Sequence, residues 1–262
     1  MAGAFKAPIV AALAVAPRHV ELVIEHPELS MAAPGQFAHI LTPGMLRRPV
    51  SFSRIDPQRG RAGLLVQVVG QGTAWLAERS PGEWLDVLAP LGRGFQAPDP
   101  ARPWILVGGG VGIPPLYSAW ERWGPQHRAP ACAILGAREA DGILMAGDFQ
   151  GAGLLPVLAT EDGSAGRRGT VVGPLEEWLA RYPEAQVMAC GPNGMLAQVS
   201  RVAAGATGPV QLAMEQRMGC GIGACLACVV PATPVGPEGP RYRRVCTDGP
   251  VFFREELAWS WI

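Results

Sequence analysis

Half of the six cysteines in this 262-residue chain fall within nine positions of one glycine-rich stretch, EQRMGCGIGACLACVVPA, residues 215–232. Cys220, Cys225 and Cys228 are followed seventeen residues later by Cys246, which gives C-x4-C-x2-C-x17-C. The first part of that pattern has the ligand spacing of a plant-type loop wrapped around a [2Fe–2S] cluster. Thiolates around such a cluster concentrate negative charge, and backbone N–H groups turned toward the sulfurs offset it. Gly219, Gly221 and Gly223 free the backbone for that geometry, because glycine takes positive φ without penalty. Ala224 and Ala227 keep the surrounding shell small. Structural zinc is the alternative for four cysteines, although zinc sites more often use two C-x2-C knuckles and only one is present. A disulfide framework fits a reducing compartment least well. Cys132 lies in an apolar run and reads as a small buried hydrophobe.

The second chemistry the residues suggest is phosphate binding. VGGGVGIPPL places Gly109, Gly110 and Gly112 between an apolar strand and a helix, where the backbone can approach a pyrophosphate at the helix N-terminus. Pro114 and Pro115 suit the first helical turn. ACGPNGML repeats the strand-turn-helix arrangement with Cys190, Gly191 and Pro192. In VVGQGTAWL, Gly72 and Thr73 open a short helix, with Thr73 as its expected cap. Packing or plain turn chemistry accounts equally for any one of these turns taken alone. RRPVSFS presents Arg48 and Ser51 on one strand, on opposite faces by the two-residue period unless Pro49 distorts it. The four histidines, His19, His26, His39 and His127, have no ligand spacing and read as structural or surface residues.

The elements that must position these groups fall into three parts. Residues 1–97 contain short strands punctuated by glycine and proline, which predict an antiparallel barrel. The apolar N-terminus is interrupted by Pro8 and Pro17 and runs into alternating residues, so it is expected to be the first strand rather than a signal peptide. After the proline-rich connector at 97–103, strands alternate with helices through residue 209, the pattern of a doubly wound α/β domain. Residues 210–262 form a small C-terminal module around the cysteines. Twenty-two basic residues balance twenty-two acidic ones, so charge implies neither a nucleic-acid nor a membrane partner. No apolar run is long enough to span a membrane, and the expected compartment is the cytoplasm.

Taken together, Arg48-Pro49-Val50-Ser51, Gly72-Thr73, GGGVGIPPL, CGP and the cysteine loop resemble the ferredoxin-reductase superfamily. MEQRMGCGIGACLACVV and RVCTDGPVF are similar, more narrowly, to the electron-transfer subunits of B-type dihydroorotate dehydrogenase. The resemblance covers essentially the whole chain and implies three parts: a β-barrel FAD domain, a doubly wound NAD-binding domain and a C-terminal [2Fe–2S] module. It implies that Arg48, Pro49, Val50 and Ser51 contact flavin and phosphate, that Leu65, Val66 and Gln67 line the flavin, and that Gly72 and Thr73 hold the pyrophosphate. Gly109, Gly110 and Gly112 would lie near the NAD phosphates, with Cys190, Gly191 and Pro192 beside the nicotinamide. Cys220, Cys225, Cys228 and Cys246 would ligate the cluster.

The resemblance also implies a partner, an FMN-containing catalytic subunit that oxidises dihydroorotate, in a heterotetramer of two copies of each chain. Electrons would pass through the cluster and FAD to NAD, with no general acid or base on this chain. Gln67 departs from the larger or basic residue frequent in the family. Glu161 and Asp162 disfavour an added ribose phosphate and so favour NAD over NADP. The aromatic C-terminus, with Phe252, Trp259 and Trp261, has no role assigned by pattern. Two rival readings share part of this picture: the flavin subunit of another NAD(P)H-linked complex, of sulfide dehydrogenase, transhydrogenase or hydrogenase type, and a zinc-stabilised non-catalytic module.

Overall fold

Alternation of apolar and polar residues from Gly3 onward, broken by turn residues, builds six strands: β1 (Gly3–Ala16), β2 (His19–Glu25), β3 (Phe37–Ile40), β4 (Arg48–Asp56), β5 (Arg61–Gln67) and β6 (Trp84–Leu91). The computed structural model describes residues 3–44, 46–233, 239 and 241–259. The six strands close into a barrel in the order β1-β2-β5-β4-β3-β6. Closure depends on β1, whose first half pairs with β6 and whose second half, past a register shift after Ile9, pairs with β2. One strand thereby satisfies both would-be edges. Ile9, Leu22, Ile24, Ile40, Phe52 and Leu64 fill the interior. The helix α1 (Gln71–Ala77) follows β5 and begins three residues earlier than expected, with Gly70 rather than Thr73 as its cap. Thr73 sits inside the first turn instead, where its hydroxyl accepts the backbone N–H groups of Val69 and Gly70 at 2.9 and 3.1 Å.

The second part contains β7 (Trp104–Gly109), α2 (Ile113–Trp123), β8 (Ala131–Ala137), α3 (Ala146–Gly151), β9 (Val157–Thr160), β10 (Arg167–Arg168), α4 (Val172–Arg181), β11 (Gln186–Cys190), α5 (Asn193–Val202) and β12 (Val210–Ala213). The last part adds β13 (Val229–Pro231), β14 (Tyr242–Arg244) and β15 (Val251–Phe253). The main sheet runs β10-β9-β8-β7-β11-β12-β15, parallel until β15 joins β12 antiparallel. Strand β7 shows why both faces must be covered. Ile105 and Val107 enter one core with Leu175, Leu196 and Val199, while Trp104 and Leu106 enter the other with Leu116, Trp120 and Phe149. This is the doubly wound α/β architecture expected from the alternating elements. The strand order reverses between β7 and β11, so their carboxyl ends flank an open crevice.

Contacts on two sides help to hold the parts together. The outward-facing Phe37 of β3 and Leu91 of β6 are buried in one apolar cluster with Cys228, Val230, Val245, Cys246 and Phe252 of the C-terminal part. Each such side chain contributes roughly 1.5–3 kcal/mol on burial. On the other side, Arg54 of β4 reaches Asp148 on α3 at 2.6 Å, lies over the Tyr117 ring of α2 at 4.9 Å, and meets the buried Glu21 at 3.3 Å. Ser53 donates to the same Glu21 carboxylate at 2.6 Å. Burial opposes the charge on Arg54, but Asp148 and Glu21 outweigh it and raise its pKa.

Candidate functional site

The barrel mouth and the sheet crevice open into one another as a single cleft of about 1550 Å³. That exceeds the roughly 300–1,000 Å³ typical of a single small-molecule pocket, so the space suits two large ligands side by side. The barrel contributes Arg48, Pro49, Val50 and Ser51 from β4, Leu65, Val66 and Gln67 from β5, and Thr73 from α1. The parity difficulty at Arg48 and Ser51 dissolves because Arg48 is the first residue of its strand and its long side chain folds back, donating to the Leu46 carbonyl at 3.0 Å. Gly72 does not line the cleft. It lies beneath Arg48, and a Cβ there would stand 2.6 Å from the Arg48 Nε. The absence of a side chain at Gly72 leaves room for the guanidinium to cross the turn as it does here.

Gly109 ends β7, with Gly110 and Gly112 just after it, and Cys190 ends β11, with Gly191 and Pro192 just after it; all six line the same cleft. The two turns touch through their backbones, since a Cβ on Gly112 would meet the Cys190 carbonyl and come within 2.5 Å of Gly191 N. Burial, reinforced by the charge of Glu215, pushes the Cys190 thiol up to about 12, so it stays neutral beside any bound ring. Glu161 also lines the cleft, whereas Asp162 turns aside to bind Ser164. Segment 215–218, part of the stretch that carries the family resemblance but without a site role assigned by pattern, lines the cleft as well and leads directly to Cys220. Its position just before the first thiol was the available signal.

The four thiols form two pairs. Cys225 meets Cys220, and Cys228 meets Cys246, while the charge of Cys220 also reaches Cys246. Among the described residues, no three thiol, imidazole or carboxylate groups converge on one ion-sized point. Two pairs are the arrangement that a two-iron cluster needs, with two thiolates for each iron. The loop is built for anionic sulfur: the N–H groups of Ile222 and Cys225 point at the Cys220 Sγ at 3.5 and 3.4 Å, and that of Cys246 at the Cys228 Sγ at 3.4 Å. Burial opposes ionisation of Cys220, but these N–H groups outweigh it and bring the thiol down to about 6. Burial and the neighbouring Cys228 push Cys246 up to about 12. Positive φ at Gly221, Gly223 and Leu226 turns the N–H groups inward. The donor set therefore fits a [2Fe–2S] cluster.

Cys225 is exposed, as are Ile222 and Leu226 beside it, so this loop presents an apolar rim outward. Inward, Gly221 lies against the imidazole of His39 on β3. His39 is fully buried, and burial together with Arg47 lowers its pKa, against the opposing effect of the Cys220 and Arg47 carbonyls. The C-terminal aromatics separate by position: Phe252 is in the core, Trp259 donates to the Arg254 carbonyl at 2.8 Å, and Trp261 lies outside the described residues.

Two families match parts of the chain. One is described as the iron–sulfur cluster binding domain of dihydroorotate dehydrogenase B, over residues 215–258, and the other as the oxidoreductase NAD-binding domain, over residues 106–201. The chain is 34% identical over 265 residues to the electron transfer subunit of dihydroorotate dehydrogenase B (NAD(+)) of Desulforamulus reducens, covering 99% of this chain and all of that protein. The protein of the same name from Geobacillus kaustophilus is 39% identical over 237 residues, 87% of each chain. Among solved structures, a chain of the bifurcating NADH-dependent reduced ferredoxin–NADP oxidoreductase superposes with a TM-score of 0.83 at 30% identity, covering all of this chain and 92% of that one. The ferredoxin reductase of carbazole 1,9a-dioxygenase, at 20% identity and a TM-score of 0.69, shares the fold over 80% of this chain and 69% of its own.

Proposed function

The chain belongs to the electron-transfer subunits of dihydroorotate dehydrogenase B, and from that premise we propose how its residues divide the work of carrying electrons from a catalytic partner subunit to NAD. FAD, the [2Fe–2S] cluster and NAD are its redox groups, and the flavin supplies the conversion between single electrons and hydride. The protein's own task is placement. Residues 1–97 carry the flavin, with Arg48 and Ser51 at its polar groups, Leu65, Val66 and Gln67 along the ring, and Thr73 at the pyrophosphate. Gly72 acts indirectly, by seating Arg48. Residues 98–209 carry NAD, with Gly109, Gly110 and Gly112 at its phosphates and Cys190, Gly191 and Pro192 beside the nicotinamide. Glu161, at the cleft wall, repels an added ribose phosphate.

Residues 210–262 carry the cluster, with Cys220 and Cys225 on one iron and Cys228 and Cys246 on the other. The neutral Cys190 leaves the nicotinamide's surroundings uncharged, and no group of this chain has to move a proton. The rim of Ile222 and Leu226 faces the FMN-containing catalytic subunit, in a heterotetramer of two copies of each chain. The compartment is the cytoplasm, where reducing conditions keep these thiols free as ligands; among the described residues no helix is long and apolar enough to cross a membrane.

The observation that carries this reading is the single cleft, lined at once by the barrel strands, by both glycine turns and by segment 215–218, which leads into the first thiol. Co-expression with the catalytic chain tests it: dihydroorotate-linked NAD reduction must require this subunit. The similarity to the bifurcating oxidoreductase favours a second reading, coupling to ferredoxin and NADP. Ferredoxin-linked NADP reduction without dihydroorotate activity would select that reading, and zinc in place of iron and acid-labile sulfide would sink both.

A further inference from the structure

The barrel meets the cluster loop at a buried polar side chain left without a well-formed hydrogen bond. His39 lies in the middle of β3, paired with Pro49 of β4 on one side and Leu88 of β6 on the other. Ala38 and Ile40 point into the barrel, so His39 points out of it, toward the C-terminal part. It has no exposed surface, and neither ring nitrogen has a partner within hydrogen-bond geometry. Leaving such a group unpaired costs about 1–3 kcal/mol, so a buried imidazole in this state needs an explanation.

The surroundings supply one. A Cβ on Gly221 would stand 2.5 Å from the His39 Nδ1, so the loop backbone lies directly on the ring, and Gly221 is held there with φ +73°. The Cys220 and Arg47 carbonyls both face the same imidazole, and of the two only that of Cys220 belongs to the cluster loop. Cys220 is the first thiol of the loop, and Pro49, across the strand from His39, lines the cleft. His39 therefore stands between the flavin-side strand and the cluster-side backbone.

We propose that His39 is the positioning residue of the cluster loop: its imidazole N–H, donated to the Cys220 carbonyl when the cluster draws the loop tight, fixes the first ligand against the barrel and sets the cluster's potential. The proposal rests on the reading that the four thiols hold a [2Fe–2S] cluster. Hydrogen bonds around the ligand sulfurs and their backbone stabilise the more negative, reduced state, so loss of this donor makes the cluster harder to reduce.

The test uses the full chain with FAD and cluster, in complex with the catalytic subunit, comparing wild type with His39→Leu and His39→Asn. Leucine fills the space without a donor, and asparagine places an amide N–H where Nδ1 stands. Iron and acid-labile sulfide are counted first, and the midpoint potential is then read by EPR-monitored titration. His39→Leu is expected to lower the potential by about 59 mV, a tenfold shift for one electron, and His39→Asn to restore most of it. An unchanged potential in His39→Leu with a full cluster overturns the proposal. If His39→Leu loses the cluster, retention with near-native potential in His39→Asn supports the donor role, and loss in both overturns it. A wild-type chain without acid-labile sulfide would instead refute the cluster reading itself, and the proposal with it.

Discussion

The contact between the two glycine turns of the nucleotide domain makes Gly112→Ala an informative perturbation. Gly112 has φ −81°, which alanine adopts freely, so the effect of the substitution is steric alone. The added Cβ would stand 2.5 Å from Gly191 N, and nearer still to the Cys190 carbonyl, whereas ordinary contact begins at 3.4 Å. Both obstacles are backbone, so the turn after β7 must separate from the turn after β11 by about 1 Å. Displacements of that size cost on the order of 100-fold in rate when they misplace reacting groups. Overpacking adds about 1–3 kcal/mol of instability. Stopped-flow bleaching of the flavin by NADH should therefore slow by about 100-fold, with FAD content and the cluster's EPR signal retained. Gly194→Ala, in the first turn of α5 with nothing near its Cβ, is the control and should leave the rate unchanged. A Gly112→Ala protein that folds, binds FAD and is reduced within about threefold of the native rate would refute the reasoning.

Cys225→Ser should abolish dihydroorotate-linked NAD reduction while sparing NADH oxidation by an artificial acceptor at the flavin, since only the first route crosses the cluster; equal losses in both assays would contradict this. Ile222→Glu puts a charge on the exposed apolar rim of the loop and should weaken association with the catalytic subunit by at least about tenfold, measured by calorimetry on the purified chains. Arg54→Met leaves the buried Glu21 carboxylate with Ser53 alone. Because Arg54 is itself 34% exposed, the cost lies between that of a surface and a buried pair, about 2 kcal/mol. This corresponds to roughly 4–8 °C in Tm by calorimetry. Cys190, pushed up to about 12, stays protonated at lower pH, so NADH–flavin exchange should show no thiol-linked inflection between about pH 7 and 10, and iodoacetamide at pH 8 should leave Cys190 unmodified by mass spectrometry.

Local spacing along the chain encodes only some of these features. The cysteine intervals marked three candidate ligands on one loop and a fourth, Cys246, beyond it, and the alternating segments specified a barrel followed by a wound α/β sheet. The glycine turns marked where phosphates could approach, because a positive φ or a close backbone approach is a property of a few consecutive residues. Tertiary structure alone decided which distant positions meet. Arg48 crosses Gly72, Gly112 rests on Cys190, and β15 leaves the cysteine part to pair with β12 at the edge of the nucleotide sheet. The division of the thiols into pairs, the burial of Phe252 and the contact of His39 with Gly221 belong to the same class. Thr73 shows how narrow the margin is: its type suited a helix cap, yet the helix begins at Gln71, after a Gly70 cap, and Thr73 braces the turn from within. Spacing fixes geometry only over the few residues that share a turn or a strand face. Contacts between residues far apart along the chain depend on how whole elements cross and pack, which no local pattern contains.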